Sequence, residues 1–363
     1  MTIRDYLQIG RAQTAAVEGA LFPLAALAGG APLWALPLFA LLGIVQHLGG
    51  FGENSVSDLR YDRADPSKAD HPLVAGRVSY AGGVAFVYGL QILGAGIFVG
   101  ILAYTGVTWV FPVLAFVLYH VFGHAYNWLG KLNKPAASAE IALCFAFASL
   151  AVGSAWTGRA DPAVWSLFVF ALALVAFQIA VAGELKEIAQ SNERNLLRRL
   201  GSRVGPGLLG TASEAFGAAV EAATRGGAVV VVKREDLTEP FLLTSGGAWA
   251  LAWSLTAFKI AALAWIGWVV GGPPWMGVGA AAGILLFTGY TFALLLPGPF
   301  DRPRRMRLMG LGEAASVLVV VVPLAPILGW WLWAPFLVLP FLWFAGMNRI
   351  LWARTGSALA PGV

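Results

Sequence analysis

Glu53-Asn54-Ser55-Val56-Ser57-Asp58-Leu59-Arg60-Tyr61-Asp62-Arg63-Ala64-Asp65 follows directly on an apolar run that opens near residue 33. About 20 apolar residues are what an α-helix needs to cross a hydrocarbon core roughly 30 Å thick. The charges after residue 52 mark where such a helix leaves the core. The same alternation of long apolar block and short charged loop repeats along the chain. Its 363 residues are 58% hydrophobic and 12% charged, with mean hydropathy +0.73, whereas a soluble domain carries about 25% charged residues. A soluble enzyme is excluded. The expected fold class is all-α, a polytopic membrane helix bundle.

Apolar windows and their breakers place spans at 12–30, 33–57, 78–103, 108–130, 135–157, 162–190, 244–271, 274–297, 311–330 and 332–352. The segment opening Met1-Thr2-Ile3-Arg4-Asp5-Tyr6 shows no clear small-residue cleavage site, so the first span is expected to stay in the mature protein. One set of loops holds Arg4, Arg11, Arg60, Arg63, Lys68, Arg77, Lys131, Lys134, the basic residues between 186 and 234, the cluster from Arg302 to Arg307, Arg349 and Arg354. The other set holds Arg159 alone. The positive-inside rule then puts both termini and the basic loops in the cytoplasm and requires an even number of crossings. It also accounts for the net charge of +5 without nucleic acid. The single cysteine, Cys144, lies in an apolar run and supports neither a disulfide framework nor a cysteine metal site. Composition and the lack of an organelle signal point to the plasma membrane of a bacterium or archaeon.

The longest polar interval divides the chain into an N-terminal transmembrane half (1–190), a cytoplasmic loop or small lid (191–243) and a C-terminal transmembrane half (244–363), one membrane domain overall. A loop of that length in a compact bundle is functional or mobile. Residues 211–224 read as a helix and the β-branched run 228–233 as a strand. A lid and a variable insertion both fit.

In the opening stretch Asn54, Asp58 and Asp62 recur at i, i+4 and i+8, so on a continuing helix they share one face. Like charges so spaced repel by roughly 0.2 to 0.5 kcal/mol per pair on an exposed helix. A cation should offset this, and carboxylate and amide oxygens suit Mg2+, which takes its remaining ligands from water and substrate phosphate. A second acidic pair, Glu184 and Glu187, lies at the cytoplasmic end of the sixth span, at i and i+3. The two clusters stand at the same depth on the same side and can converge. Arg77, Lys131 and Lys134 border that face and can hold the oxygens of a diphosphate. Together they form a candidate diphosphate-ionising site. Taken one at a time, such charges also fit solvated helix ends at the membrane interface. Arg63, Asp65 and Asp70 read as loop charges, and His71-Pro72-Leu73-Val74-Ala75-Gly76-Arg77 as a constrained turn into the third span.

This arrangement resembles the UbiA superfamily of intramembrane prenyltransferases over about residues 11 to 330. The family's first motif, Asn-Asp-x-x-x-Asp-x-x-x-Asp with minor variation, is matched by Asn54 to Asp62, and its Arg-Pro-x-x-x-Gly-Arg-like turn by His71 to Arg77. The family's Tyr and Lys after the fourth span are matched by Tyr126 and Lys131, and its second motif by Gly183 to Ser191, ahead of Asn195-Leu196 and Leu200-Gly201. Ser55 and Ser191 stand where the family usually has Asp, and Glu187 where Asp is common. The interval between Ser191 and Asn195 is also short of the usual spacing.

The resemblance implies a bundle of nine core spans, with residues 332–352 as an extra C-terminal hydrophobic segment. It further implies Mg2+ on Asn54, Asp58, Asp62, Glu184 and Glu187, and diphosphate on Arg77, Tyr126, Lys131 and Lys134. The reaction would ionise an allylic isoprenyl diphosphate and pass the prenyl group to a lipophilic acceptor, aromatic or lipid, within the bilayer. Two alternatives stay open. One is a terpene cyclase, in which the substrate's own double bond attacks. The other is a non-catalytic lipid-binding or transport relative.

Several polar residues fall inside spans. Lys259, mid-span in the seventh, should face the interior, paired with Glu18 or Glu313 or contacting substrate. His120 and His124 sit i, i+4 on the fourth span with no third ligand to complete a metal site. They read as packing or hydrogen-bonding residues, with acceptor positioning or deprotonation as the functional alternative. His47 and Gln178 are expected to join helices.

Overall fold

The computed structural model describes residues 2–63, 68–130, 134–186, 196–200, 240–241, 246–295, 298–299 and 302–352. A short helix, α1 (Ile3–Ile9), precedes a 3-10 turn (Ala12–Thr14) and α2 (Ala16–Ala28). Then come α3 (Leu36–Ser57), α4 (Leu59–Asp62), α5 (Tyr80–Thr105), α6 (Val110–Trp128), α7 (Lys134–Ser154) and α8 (Pro162–Phe177). The last runs through a π turn (Gln178–Gly183) into α9 (Glu184–Lys186), and α10 is Leu196–Arg199. The C-terminal half holds α11 (Gly246–Gly271), α12 (Pro273–Gly283), a second π turn (Ile284–Thr288), α13 (Gly289–Leu295), α14 (Arg302–Val321), α15 (Ala325–Leu328) and α16 (Trp330–Trp352). Among the described residues the fold is all-helical apart from an antiparallel pair of two-residue strands, Pro240–Phe241 with Gly298–Pro299.

Seven helices among the described residues are long and apolar enough to cross a bilayer: Leu33–Ser57, Tyr80–Thr105, Val110–Trp128, Ala136–Ser154, Pro162–Gly183, Gly246–Gly271 and Pro273–Leu295. They coincide within a few residues with the second to eighth expected spans. Local chemistry sets their ends. Ser79 caps α5 by accepting the Gly82 N–H at 3.0 Å, Gly106 closes it at φ +64°, and Pro162 opens α8. The expected first span is shorter, a turn plus the 13 residues of α2. The expected ninth, 311–330, is displaced: its helix starts at Arg302, inside the basic cluster, and stops at Val321. The expected helix and strand at 211–224 and 228–233 lie outside the described residues.

Packing runs as a ring. α5 lies on α3, α3 on α2, α2 on α7, α7 on α6 and α8, α8 on α11 and α11 on α12, and α14 and α16 return to α2. Phe39, Leu42, Phe98, Phe170, Leu263 and Val320 belong to one continuous core. Apolar side chains also cover the outside: Ile92, Val110 and Leu285 are about three-quarters exposed (74%, 75% and 76%), as suits helices solvated by acyl chains. The α2/α7 crossing depends on small residues, because a Cβ on Gly29 would overlap the Gly153 carbonyl.

The ends of the ring are tied by polar contacts. The last turn of α16 leaves the Leu351 carbonyl without a helical partner. Arg4 Nη2 donates to it at 2.6 Å and Gln8 Nε2 at 2.7 Å, and Trp343 Nε1 donates to the Ala12 carbonyl at 2.7 Å.

Lys259 is fully buried but does not pair with Glu18, which is bonded to His47 instead. The Glu313 side chain lies outside the described set. Among the described residues the Lys259 Nζ has no hydrogen-bond partner, and it sits 3.4 Å from the Phe177 ring centroid and 4.3 Å from that of Phe287. Aromatic faces stand beside it where pairing with Glu18 was one expectation, because α11 packs against α8 and the π turn that carries Phe287.

Candidate functional site

The first acidic motif stays on one helical track. The Asp58 N–H donates to the Asn54 carbonyl at 3.0 Å and the Asp62 N–H to the Asp58 carbonyl at 2.9 Å, so the i, i+4, i+8 alignment survives the junction of α3 and α4. Asn54 Oδ1 is buried without a hydrogen-bond partner. Asp62 lies 3.5 Å from Lys68 Nζ, with 15% and 9% of the two side chains exposed. A hard-donor oxygen with no partner, in line with two carboxylates, is a donor set that fits Mg2+. Ser55 turns elsewhere. Its hydroxyl is buried and donates to the Ile9 carbonyl at 3.0 Å, docking α1 onto α3.

Arg77 is engaged by α1. Its Nε donates to Asp5 Oδ1 at 2.9 Å, and its Nη2 to Gln8 Oε1 at 3.3 Å and the Asp70 carbonyl at 2.8 Å. Some 39% of the side chain stays exposed. Burial opposes ionisation of Asp5, yet Arg77 and the Thr2 donors outweigh it and hold the carboxyl below its ordinary value. The turn between Lys68 and Arg77 forms as expected, with Gly76 at φ +70°.

His71 is buried in that turn with no partner for Nδ1. Burial, with Lys68, Arg11 and Arg77 nearby, pushes its pKa down to about 3. The unfolded imidazole takes a proton below about pH 6.5 while the docked one does not. Stability of the turn therefore falls as pH drops from about 6.5 toward about 3. Hydrogen exchange at the Ala75 and Val78 amides, corrected for intrinsic rates, should accelerate over that range, and His71→Gln should flatten the profile.

Glu184 is buried at the end of the π turn that extends α8, and its Oε2 accepts the Leu196 N–H at 2.6 Å, at the start of α10. Three crossings, α5 to α7, separate α3 from α8, so the ends carrying Asp58 and Glu184 face the same side. Tyr126 is half-buried on the last turns of α6. Glu187 and Lys131 lie outside the described residues, as does the side chain of Lys134, which begins α7. Among the described residues no three His, Cys, Asp or Glu side chains gather closely enough to hold a metal ion. Two carboxylates and an amide oxygen are what the first motif alone presents.

Two buried Glu–His pairs were not foreseen. Glu18 Oε2 meets His47 Nδ1 at 2.5 Å, with Thr14 Oγ1 3.1 Å from the other ring nitrogen. Glu53 is 2% exposed and gathers three donors, His124 Nδ1 at 2.6 Å, Trp128 Nε1 at 2.6 Å and Gln91 Nε2 at 2.8 Å. The available signal was Glu18 inside the first expected span, where a carboxylate is not tolerated unpaired, and Glu53 at the close of the second apolar run.

The sequence matches the profile of the UbiA prenyltransferase family over residues 17–206. Among curated proteins no match is found. Among solved structures, the chain is similar to one from work on digeranylgeranylglyceryl phosphate synthase in membranes, at 16% identity and TM-score 0.53, covering 90% of this chain and 98% of that one. It is also similar to a UbiA homologue from Archaeoglobus fulgidus bound to DMAPP and Mg2+, at 16% identity and TM-score 0.47, covering 87% and 99%. At such identity the first likeness speaks to the fold alone.

Proposed function

Because the chain belongs to the UbiA prenyltransferase family, we propose that this multi-pass membrane protein ionises an allylic isoprenyl diphosphate with Mg2+ and transfers the prenyl group to a lipophilic acceptor. The carrying observation is the strip of Asn54, Asp58 and Asp62, whose buried amide oxygen has no partner among the described residues. In this reading Asn54, Asp58, Asp62, Glu184 and Glu187 hold the metal, which when bound supplies positive charge to the leaving diphosphate. Arg77, Tyr126, Lys131 and Lys134 bind the diphosphate, Arg77 being oriented for it by Asp5. The packed helices keep water from the allylic cation. The site opens to the cytoplasm of a plasma-membrane protein with both termini inside.

The test is purified chain in lipid vesicles with Mg2+ and dimethylallyl, geranyl, farnesyl or geranylgeranyl diphosphate, assayed for diphosphate release. Release with at least one of them, abolished by chelation, is expected. No release with any removes the catalytic reading.

A further inference from the structure

α5 packs on α3 and α6 packs on α7, but α5 and α6 scarcely approach each other along their lengths. The stacked rings of Phe98 and Phe116, 4.2 Å between centroids, join them in the half remote from the acidic motif. Both pack on α3, and in the other half polar side chains from the three helices meet: Glu53 of α3 is bonded to Gln91 of α5 and His124 of α6, Tyr88 and His120 flank the His124 ring, and Gln46 lies two turns before Glu53 on α3. Outside this cluster the two helices present apolar side chains, among them Ile92, Val117 and Val121, so an approaching molecule comes from the lipid.

Two observations show a ligand's place. Gln46 is 1% exposed and its Nε2 has no hydrogen-bond partner, seated where a Cβ on Gly94 would collide with it. His120 Nε2 is likewise buried without a partner. Unmet donors and acceptors of this kind are costly unless something polar arrives to meet them.

His124 is placed to act there. Trp128 can only donate to Glu53, and Gln91 donates to it through its amide nitrogen, so the carboxylate is the acceptor for all three neighbours and the hydrogen of His124 sits on Nδ1. In the neutral ring Nε2 then carries a free lone pair. The ring stacks between Tyr88 and His120, at 6.2 and 5.9 Å, and 39% of the side chain stays exposed. Glu53 directly precedes Asn54 of the acidic motif on the same helix.

We propose that the polar cluster between α5 and α6 is where the acceptor binds and that His124, oriented by Glu53, is the general base for an acceptor bearing a hydroxyl group. The inference rests on the prenyltransferase reading above. The acceptor O–H proton passes to His124 Nε2, and the oxygen lone pair forms the C–O bond to prenyl C1. The bond from C1 to the diphosphate oxygen breaks with its electron pair leaving on diphosphate, and the imidazolium returns its proton to water. Glu53 is a positioning residue that fixes the tautomer and the ring.

The experiment uses the full chain in vesicles with Mg2+, the best prenyl diphosphate from the release assay, and two hydroxyl probes, 4-hydroxybenzoate and 1-O-octadecylglycerol. Diphosphate released and prenyl transferred are measured separately. In His124→Ala the fraction of released diphosphate matched by transfer should fall about 100-fold, with prenyl alcohol taking its place, and added imidazole should restore part of it. Glu53→Gln should shift the same ratio by about tenfold and Glu53→Asp by less. An unchanged ratio, no response to imidazole, or no transfer to either probe by the parent chain overturns the assignment. A parent chain that releases no diphosphate overturns the underlying function as well, so the two failures are distinct.

Discussion

Asp58→Ala and Asp62→Ala are each expected to lower diphosphate release by about a thousandfold while the chain still inserts in the membrane. The size follows from the chemistry. Ionisation puts negative charge on the leaving diphosphate, and loss of a preorganised electrostatic partner costs about 4 kcal/mol of transition-state stabilisation, near three powers of ten in rate. The two residues share a helical track and cannot replace each other, since Asn54 offers only an uncharged oxygen. Asp62 also neutralises the mostly buried Lys68 at 3.5 Å, so Asp62→Asn, which keeps the shape, is the fairer companion. Release assays with protease protection of the inserted chain would decide. Full turnover in both alanine variants removes the metal assignment.

Ser55→Asp should destabilise the protein by about 3 kcal/mol or more and should not raise diphosphate release. The substitution restores the residue type that the family usually carries next to its first Asn. Here that side chain is buried and its hydroxyl donates to the Ile9 carbonyl, with the Phe51 carbonyl 3.2 Å away. A carboxylate in the same seat would meet oxygens where the serine supplies a hydrogen. A thermal melt in detergent, read beside the release assay, tests this. Higher release with an unchanged melt would place the residue among the metal ligands instead.

The membrane fold was largely readable because bilayer thickness forces a length and a hydropathy on every crossing, and α3, α5, α6, α7 and α8 obey both. The ends of the ring were harder. The charges of Arg302 to Arg307 read as loop because they repel the bilayer, although backbone hydrogen bonding does not distinguish a wet turn from a dry one. At the site, the strip from Asn54 to Asp62 was legible from spacing alone, since 3.6 residues per turn fixes the face. The partners of Glu53 and Lys259 were not, because they come from other helices. Spacing along one helix does not say which neighbour's ring or imidazole will face it. Lys259 shows the consequence: Glu18, one of the acids that charge complementarity suggested, is bonded to His47, and packing sets Phe177 and Phe287 beside the ammonium.

The bonds from Arg4 and Gln8 to the Leu351 carbonyl make the seven residues of α1 a latch with two catches. One catch grips the tail of the final helix. The other, through Asp5, grips Arg77 in the turn that leads back toward the acidic motif. The hydrophobic segment that looked like an appendage is therefore mechanically in series with the proposed chemistry. Trimming it would free the latch at one end and slacken the turn at the other, a coupling between the chain's extremities that no linear map of its spans displays.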